Sequence, residues 1–546
     1  MSDSWRADDP DQDPDARCER LEREINRLRS LLDLHGIAIP PAELDSPKVP
    51  SPISHLKTPE KIALFRSLFR GRDDVYARRW ESPDGRTGYS PNAERDWKAY
   101  YAAKPEDRKR VDKETKKNIP LDDEAIHNHL AGKHTIGVYP LLIDETCWFL
   151  AVDFDKATWK ADAAAFRETC SLLSVPASVE CSRSGNGAHI WIFFERPVPA
   201  GLARRLGSLL LTKTMERRHQ LGLDSYDRLF PNQDTMPKGG FGNLIAMPLQ
   251  KIPRELGRSV FLDEQMRPYD DQWRYLSSVK RMMQTAADRL ISDALQQSGD
   301  LIGVRLASTE DDEAPDPWTL PPSRKRPEKP MKGPMPASVE IVRANLLFID
   351  KKGLTPDLMN RLLRLAAFQN PEFYKAQALR LATYDKPRVI ACGEDLPRHL
   401  ALPRGCLEEV MAFLEGFKIK VVLRDERNFG ARIDVAFHGR LRSAQEDAVA
   451  RVLRHDDGLI CAPTAFGKTA VASWLIANRG ANALVIVHRQ QLLDQWRERL
   501  AMFLGVPIDK IGQVGGGKTK RTGIIDVAVI QSLHREKEVK EPSMGT

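Results

Sequence analysis

Cysteine is scarce, with seven in 546 residues and no repeated spacing. That excludes a disulfide framework and fits reduced thiols in a cytoplasm. The chain also lacks any apolar run long enough to cross a bilayer, and its acidic, polar start from Met1 to Asp15 has no signal-peptide pattern. No internal repeat is evident, so solenoids and arrays drop out. Neither sign of charge dominates: 83 Lys and Arg against 76 Asp and Glu give a net charge of +7. That modest excess points toward polyanionic partners. What remains is a cytoplasmic, multidomain protein of about three or four units.

Punctuation along the chain marks the units. Leu21, Ile25, Leu28 and Leu32 recur at spacings of four, three and four, predicting a short coiled coil within residues 1–40 behind an acidic tail. About two heptads give at most a weak homodimer. Pro40 to Pro52 reads as a linker, residues 50–300 as a first large domain, and Arg281 to Leu301 as a helix within it. Residues 301–336 form a charged, Pro-rich linker that includes the basic run Arg324 to Lys332. Residues 337–435 mix a helical pattern, Asp357 to Phe368, with a strand pattern, Ile419 to Leu423, and carry no assignable chemistry. Residues 436–546 form the last unit.

Chemistry concentrates in two segments of the first large domain. In Trp148-Phe-Leu-Ala-Val-Asp153-Phe-Asp155, strand alternation puts Asp153 and Asp155 on one face. Two carboxylates so placed repel unless a cation neutralises them, and hard oxygen donors suit Mg²⁺ or Mn²⁺. In Ser182-Arg-Ser184-Gly-Asn-Gly-Ala-His189, the glycines let backbone approach a phosphate, Ser184 offers a hydroxyl, and His189 opens an apolar strand. Alone, an Asp-x-Asp is common among solvated strand ends, and a lone His beside a strand is usually structural. The two in series, each abutting an apolar strand, outline a metal-dependent nucleotidyl-transfer site.

These residues resemble the archaeo-eukaryotic primase superfamily, and most closely the primase domain of TOTE conflict systems. The resemblance spans roughly residues 50–280 and includes Phe65 to Arg72, Ile136 to Pro140, Asp224 to Asp234 and Gly242 to Gln250. It implies an RRM-like catalytic core, with Asp153 and Asp155 as metal ligands and Ser184 and His189 as contacts to the nucleotide phosphates. The third carboxylate is Asp224, which follows apolar Leu223 as the family's third motif does, or Asp227, which can serve equally; Asp224 is preferred. Arg228 and Lys238 lie near enough in sequence to help with phosphate or template, against the blander reading of solvated surface charge. Substrates would be nucleoside triphosphates and a single-stranded DNA or RNA template. The chain departs from the family in one respect. Between Gly88 and Lys117 it has no cysteine where relatives carry a small zinc-binding insert, and His127, His129 and His134 make a poor substitute, so no zinc is expected.

The last unit holds Ala462-Pro-Thr464-Ala-Phe-Gly467-Lys468-Thr469 behind the apolar Gly458-Leu-Ile460. A strand, a phosphate-cradling loop and a helix N-terminus make a P-loop, in which Lys468 reaches the β- and γ-phosphates of ATP and Thr469 binds Mg²⁺. The form resembles superfamily 2 helicases, with Gln445 in an adenine-sensing segment and Ala483 to Trp496 and Val527 to Leu533 as later motifs of the same partial RecA-like lobe. No Walker B Asp-Glu and no second lobe follow before Thr546. ATP binding with poor hydrolysis is therefore expected, and a separate polypeptide could carry the rest of the helicase.

The expected architecture is an α/β and α+β multidomain chain: a primase-polymerase joined to a partial helicase lobe in a conflict or defence setting. The competing expectations are an idle nucleic-acid-binding adaptor and a nuclease acting at the same acidic site.

Overall fold

In the computed structural model the described residues are 56–298, 301–302, 331 and 334–535. The elements from Lys57 onward belong to one compact unit. The expected coiled coil and most of the 301–336 linker lie outside the described residues. Among the described residues, no helix is long and apolar enough to cross a membrane.

The first domain is built on two antiparallel sheets. The smaller orders its strands β10-β5-β1-β2, from β1 (Ala77–Glu81) and β2 (Thr87–Pro91) to β5 (Ile136–Val138) and β10 (Ile245–Ala246). Between β2 and β5, the two-residue strands β3 (Ala93–Glu94) and β4 (Lys117–Asn118) pair to close the neck of an insert. The larger sheet runs β11-β7-β8-β6-β9. It comprises β6 (Thr146–Phe154), β7 (Ser178–Cys181), β8 (Ala188–Pro199), β9 (Leu229–Phe230) and β11 (Phe261–Leu262). Helix Trp159–Leu172 connects β6 to β7, and Ala200–Met215 leads from β8 towards β9.

Burial follows from these sequences. β6 and β8 read as near-continuous apolar runs because both of their faces are covered, so Phe149, Leu150, Ala151 and Val152 on β6 are all buried. The two helices bury Phe166, Cys170, Leu206 and Leu210 against the sheet, while Phe69, Trp191 and Phe193 form an edge-on and stacked aromatic cluster. The expected helix over Arg281 to Leu301 is observed as Gln284–Ser298. Leu301 and Ile302 then tuck into the core, where the Leu301 carbonyl accepts the Thr212 hydroxyl at 2.6 Å.

Residues 338–425 form a second α/β unit. Strands β12 (Ser338–Arg343), β13 (Leu347–Asp350), β16 (Glu394–Asp395), β17 (His399–Leu402) and β18 (Lys420–Asp425) make the sheet β16-β17-β13-β12-β18. Between β13 and β16 lies the short hairpin of β14 (Ala367–Gln369) and β15 (Val389–Ala391). Helix Pro356–Leu365 starts where Thr355 accepts the Leu358 N–H and Pro356 occupies the first turn. It ends before the expected Phe368, because Ala367 to Gln369 pair as β14.

This unit grips its neighbours on both sides. Towards the first domain, Arg388 donates its backbone N–H to Asp227 at 2.7 Å, Gln377 Oε1 accepts the Asp234 N–H at 3.0 Å, and Thr383 bonds Gln233 at 3.0 Å. Towards the last unit, Arg343 reaches Asp456 and Asp457 at 3.3 and 3.1 Å, and Arg427 reaches Asp456 at 2.7 Å.

The last unit has β19 (Ala483–Val487), β20 (Ile511–Gly515), β21 (Lys518–Lys520) and β22 (Ile525–Val529) in the order β19-β22-β20-β21. The strand expected over Gly458 to Ile460 is not formed. A strand needs a ladder partner, none among the described residues pairs with it, and Leu459 is 88% exposed.

His129 offers a check on the core. Fully buried, its Nδ1 accepts the Ile136 N–H at 3.2 Å and its Nε2 donates to the Pro248 carbonyl at 2.9 Å, which fixes a neutral ring. Burial pushes its pKa down to about 4. The unfolded chain therefore takes the proton first, and stability is lost as pH falls from about 6.5 towards 4. Denaturant unfolding should show a loss of roughly 2 kcal/mol between pH 7.5 and 5 that is absent from His129→Gln; equal pH slopes in the two proteins would refute it.

Candidate active site

Register across the larger sheet assembles the site. Asp153 on β6 pairs with His189 on β8, which pairs with Glu180 on β7. Three ionisable residues thus lie in one row across adjacent strands. Glu180 is 1% exposed and holds both the His189 Nδ1 at 3.0 Å and the Trp191 Nε1–H at 2.9 Å. Its bond fixes the ring so that Nε2 faces Asp153 Oδ1, 3.7 Å away. Burial opposes the charged imidazole, but the Glu180 carboxylate overrides it and Asp153 adds to it, leaving the His189 pKa raised.

Asp155 lies two residues beyond Asp153, and Arg228 closes the pair. The Arg228 guanidinium bonds Asp155 and lies 3.6 Å from Asp153, while its carbonyl accepts the Asp153 N–H at 3.1 Å. Burial raises the Asp153 pKa; His189 and Arg228 counter it, while Asp155 reinforces it. The expected mutual repulsion is thus present and is answered by a cation from the protein itself.

The Ser182–Gly187 loop turns tightly beside Asp155. The Ser182 N–H reaches the Gly187 carbonyl at 2.9 Å and the Gly185 N–H reaches the Ser182 carbonyl at 3.0 Å. Ser184 stands exposed, its Oγ accepting the Asn186 N–H at 3.2 Å. A Cβ on Gly187 would meet the Phe154 carbonyl at 2.7 Å, so only glycine lets the loop rest on the strand between the two aspartates. Arg183 Nε is buried without a hydrogen-bond partner.

The structure separates the two third-carboxylate candidates. Asp224 lies in the first turn of the short 3₁₀ helix Leu223–Asp227, is about half exposed, and meets Lys156 at 2.8 Å. Asp227 turns the other way, accepting the Arg388 N–H, and burial raises its pKa. Lys238 is exposed and donates its backbone N–H to the Arg380 carbonyl, with no contact to the pair. Among the described residues, no three His, Cys, Asp or Glu side chains converge as a metal cluster. Asp153 and Asp155 alone still fit a Mg²⁺ ion, which is commonly held by one or two carboxylates plus substrate oxygens.

In the last unit, Gly467 (φ +87°) turns the chain into helix Lys468–Arg479, and Lys468 Nζ caps the Pro463 carbonyl at 3.0 Å. Gln445 Nε2 donates to the Phe466 carbonyl at 2.6 Å and its Oε1 accepts the Arg442 N–H at 2.8 Å, so the glutamine buttresses the loop. Thr464 is exposed and Thr469 half-buried at the helix start.

Residues 60–290 match the family described as the TOTE conflict system, Archaeo-Eukaryotic Primase domain, and residues 438–545 match the type III restriction enzyme res subunit. The chain joins a TOTE-type primase domain to a superfamily 2 helicase lobe. The chain is 33% identical over 112 residues to a putative DNA 3'-5' helicase Rad25 of Halobacterium salinarum, covering 20% of this chain and 18% of that protein. It is 31% identical over 99 residues to the DNA 3'-5' translocase XPB2 of Sulfurisphaera tokodaii, covering 18% and 22%. The chain therefore spans about a fifth of the length of these relatives. Among solved structures, the UvsW helicase of bacteriophage T4 overlaps 36% of this chain and 77% of its own at 17% identity and a TM-score of 0.27. The polymerase domain of Mycobacterium tuberculosis ligase D overlaps 45% and 91% at 12% identity and a TM-score of 0.20. Likenesses this distant add nothing to the assignment.

Two residues that support the primase site escaped the sequence. Glu180 had one signal, as the only charged residue of the short buried strand Ser178–Cys181. Arg388, from the unit beyond the linker, had none. For the primase loop, Gly187→Ala should destabilise by roughly 1–3 kcal/mol as the Phe154 carbonyl is displaced; a denaturation midpoint equal to wild type would show that the loop does not rest on the strand.

Proposed function

We propose that the primase domain is a template-dependent nucleotidyltransferase, a primase-polymerase, and that the helicase lobe is its ATP-binding partner module in a TOTE-type conflict system. The observation that carries the reading is the row Glu180, His189 and Asp153, with Asp155 beside it and the Ser182–Gly187 turn resting against the same strand end. The connectivity β6, helix, β7, β8, helix, β9, with the spatial order β7-β8-β6-β9, supports an RRM-like catalytic core.

Each residue's part follows from its position. Asp153 and Asp155 hold a divalent ion, Mg²⁺ or Mn²⁺, with the half-exposed Asp224 as the third carboxylate; when bound, such an ion stabilises charge on the transferring phosphoryl oxygens. Arg228, which answers the aspartates here, releases them and offers its guanidinium to the incoming phosphates. His189, oriented by Glu180, presents Nε2–H to the triphosphate, and Ser184 with the loop N–H groups completes the cradle. Asp227, bound to Arg388, holds the 3₁₀ turn that carries Asp224. ATP occupies the Gln445, Thr464, Gly467, Lys468 and Thr469 loop. The partner is single-stranded nucleic acid, and the compartment is cytoplasmic.

Primer synthesis and extension on single-stranded template with Mg²⁺ or Mn²⁺ tests the reading. Asp153→Ala/Asp155→Ala should lose at least a thousandfold in rate while still binding template. Asp224→Asn should lose most activity and Asp227→Asn much less, and Lys468→Ala should abolish ATP binding while leaving synthesis intact. No product from the intact chain with either metal, with template still bound, would leave a nucleic-acid-binding adaptor instead.

A further inference from the structure

Residues 93–118 form a small module pinched off at one point. The β3–β4 pair closes its neck, and the Ile119 N–H returns to the Asn92 carbonyl at 3.0 Å. Its first helix, Trp97–Ala102, carries three aromatics in six residues and buries none of them. Trp97 is 51% exposed and Tyr101 67% exposed, and their rings stack at 5.9 Å and 24°. Tyr100 stands edge-on to both, at 5.8 and 5.4 Å.

Cations surround this surface. Arg95 lies 5.5 Å from the Trp97 ring and Arg108 lies 5.6 Å from the Tyr100 ring. Lys98, Lys104 and Lys117 are exposed and have no carboxylate partner among the described residues. By sequence the module holds nine Lys or Arg against six Asp or Glu. Arg95 also pairs with Asp112 at 3.3 Å, which leaves the exposed lysines free for phosphate. Exposed stacked aromatics beside such cations match the recognition of single-stranded nucleic acid, in which bases stack on rings and phosphates meet ammonium groups.

Strand β2 of the smaller sheet leads directly into the module. Tyr89 on β2 sits near enough to Arg183 and Glu180 to feel both charges, with burial the main cause of its raised pKa. From Tyr89 to Ala93 is four residues of extended chain, about 13 Å.

We infer that residues 93–118 are a stacking platform for single-stranded nucleic acid, with Trp97 and Tyr101 receiving the bases and Lys98 and Lys104 the backbone. That the strand is the template rests on the synthesis proposed above; binding itself is measured without synthesis.

The test uses the full chain without nucleotide or metal, so a chain inert in synthesis still gives an answer. An oligothymidylate carrying 4-thiothymidine is photocrosslinked and the linked peptides are mapped in wild type, Trp97→Ala/Tyr101→Ala and Trp97→Phe/Tyr101→Phe. Crosslinks within residues 97–101 are expected in wild type, at least tenfold weaker in the alanine variant and retained in the phenylalanine variant. Separately, Lys98→Gln/Lys104→Gln, at exposed positions that do not threaten the fold, should lower the slope of log affinity against log salt by about 1.4. Wild-type crosslinks confined to other segments, or an unchanged salt slope, would overturn the inference.

Discussion

Two aspartates side by side at the end of a strand are the constraint around which the primase domain is arranged. Asp153 and Asp155 face the same way because Phe154 between them faces the core, where it is 4% exposed. Their repulsion is met by Arg228, delivered by the turn into β9, and by His189, delivered by register from β8. Glu180, one strand further and buried against the histidine, favours its charged form. One row of charges across three strands thus depends on a β-sheet register that a one-residue slip would destroy.

The second dependence reaches outside the domain. The 3₁₀ turn Leu223–Asp227 sits between the aspartate pair and the unit of residues 338–425. Arg388 is fully buried, its guanidinium lies 4.3 Å over the Phe373 ring, and burial pulls its pKa down to about 10. Its backbone N–H holds Asp227, and its side chain donates to the Asn232 carbonyl. The unit without assignable chemistry in the sequence is therefore a brace for the loop carrying Asp224 and Arg228. Through Arg343 and Arg427 it also holds the acidic turn, Asp456 and Asp457, that precedes the P-loop.

Legibility in the sequence followed the range of the interactions. Asp153, Asp155, Ser184 and His189 were readable because their chemistry lies in short segments beside apolar strands, and the structure brings all but Ser184 into direct contact with a site partner. The different settings of Asp224 and Asp227 were not readable, because Asp227 is held by a hydrogen bond to a residue 161 positions away. Arg228, open to a solvated-surface reading in the sequence, bonds the pair instead. The apolar run before the P-loop looked like a strand by composition, but pairing decides strands, and none among the described residues pairs with it. The aromatics of residues 97–101 were visible as letters, yet only their joint exposure gives them meaning.

The aspartate pair as a cation site is the claim on which the rest turns. A manganese(II) titration followed by the electron paramagnetic resonance signal of the free ion, with nucleoside triphosphate present, compares the intact chain with Asp153→Asn/Asp155→Asn; the P-loop contributes equally to both. The intact chain should take up at least one more ion than the double variant. Equal uptake would contradict the account and leave Arg228 as the permanent partner of the pair.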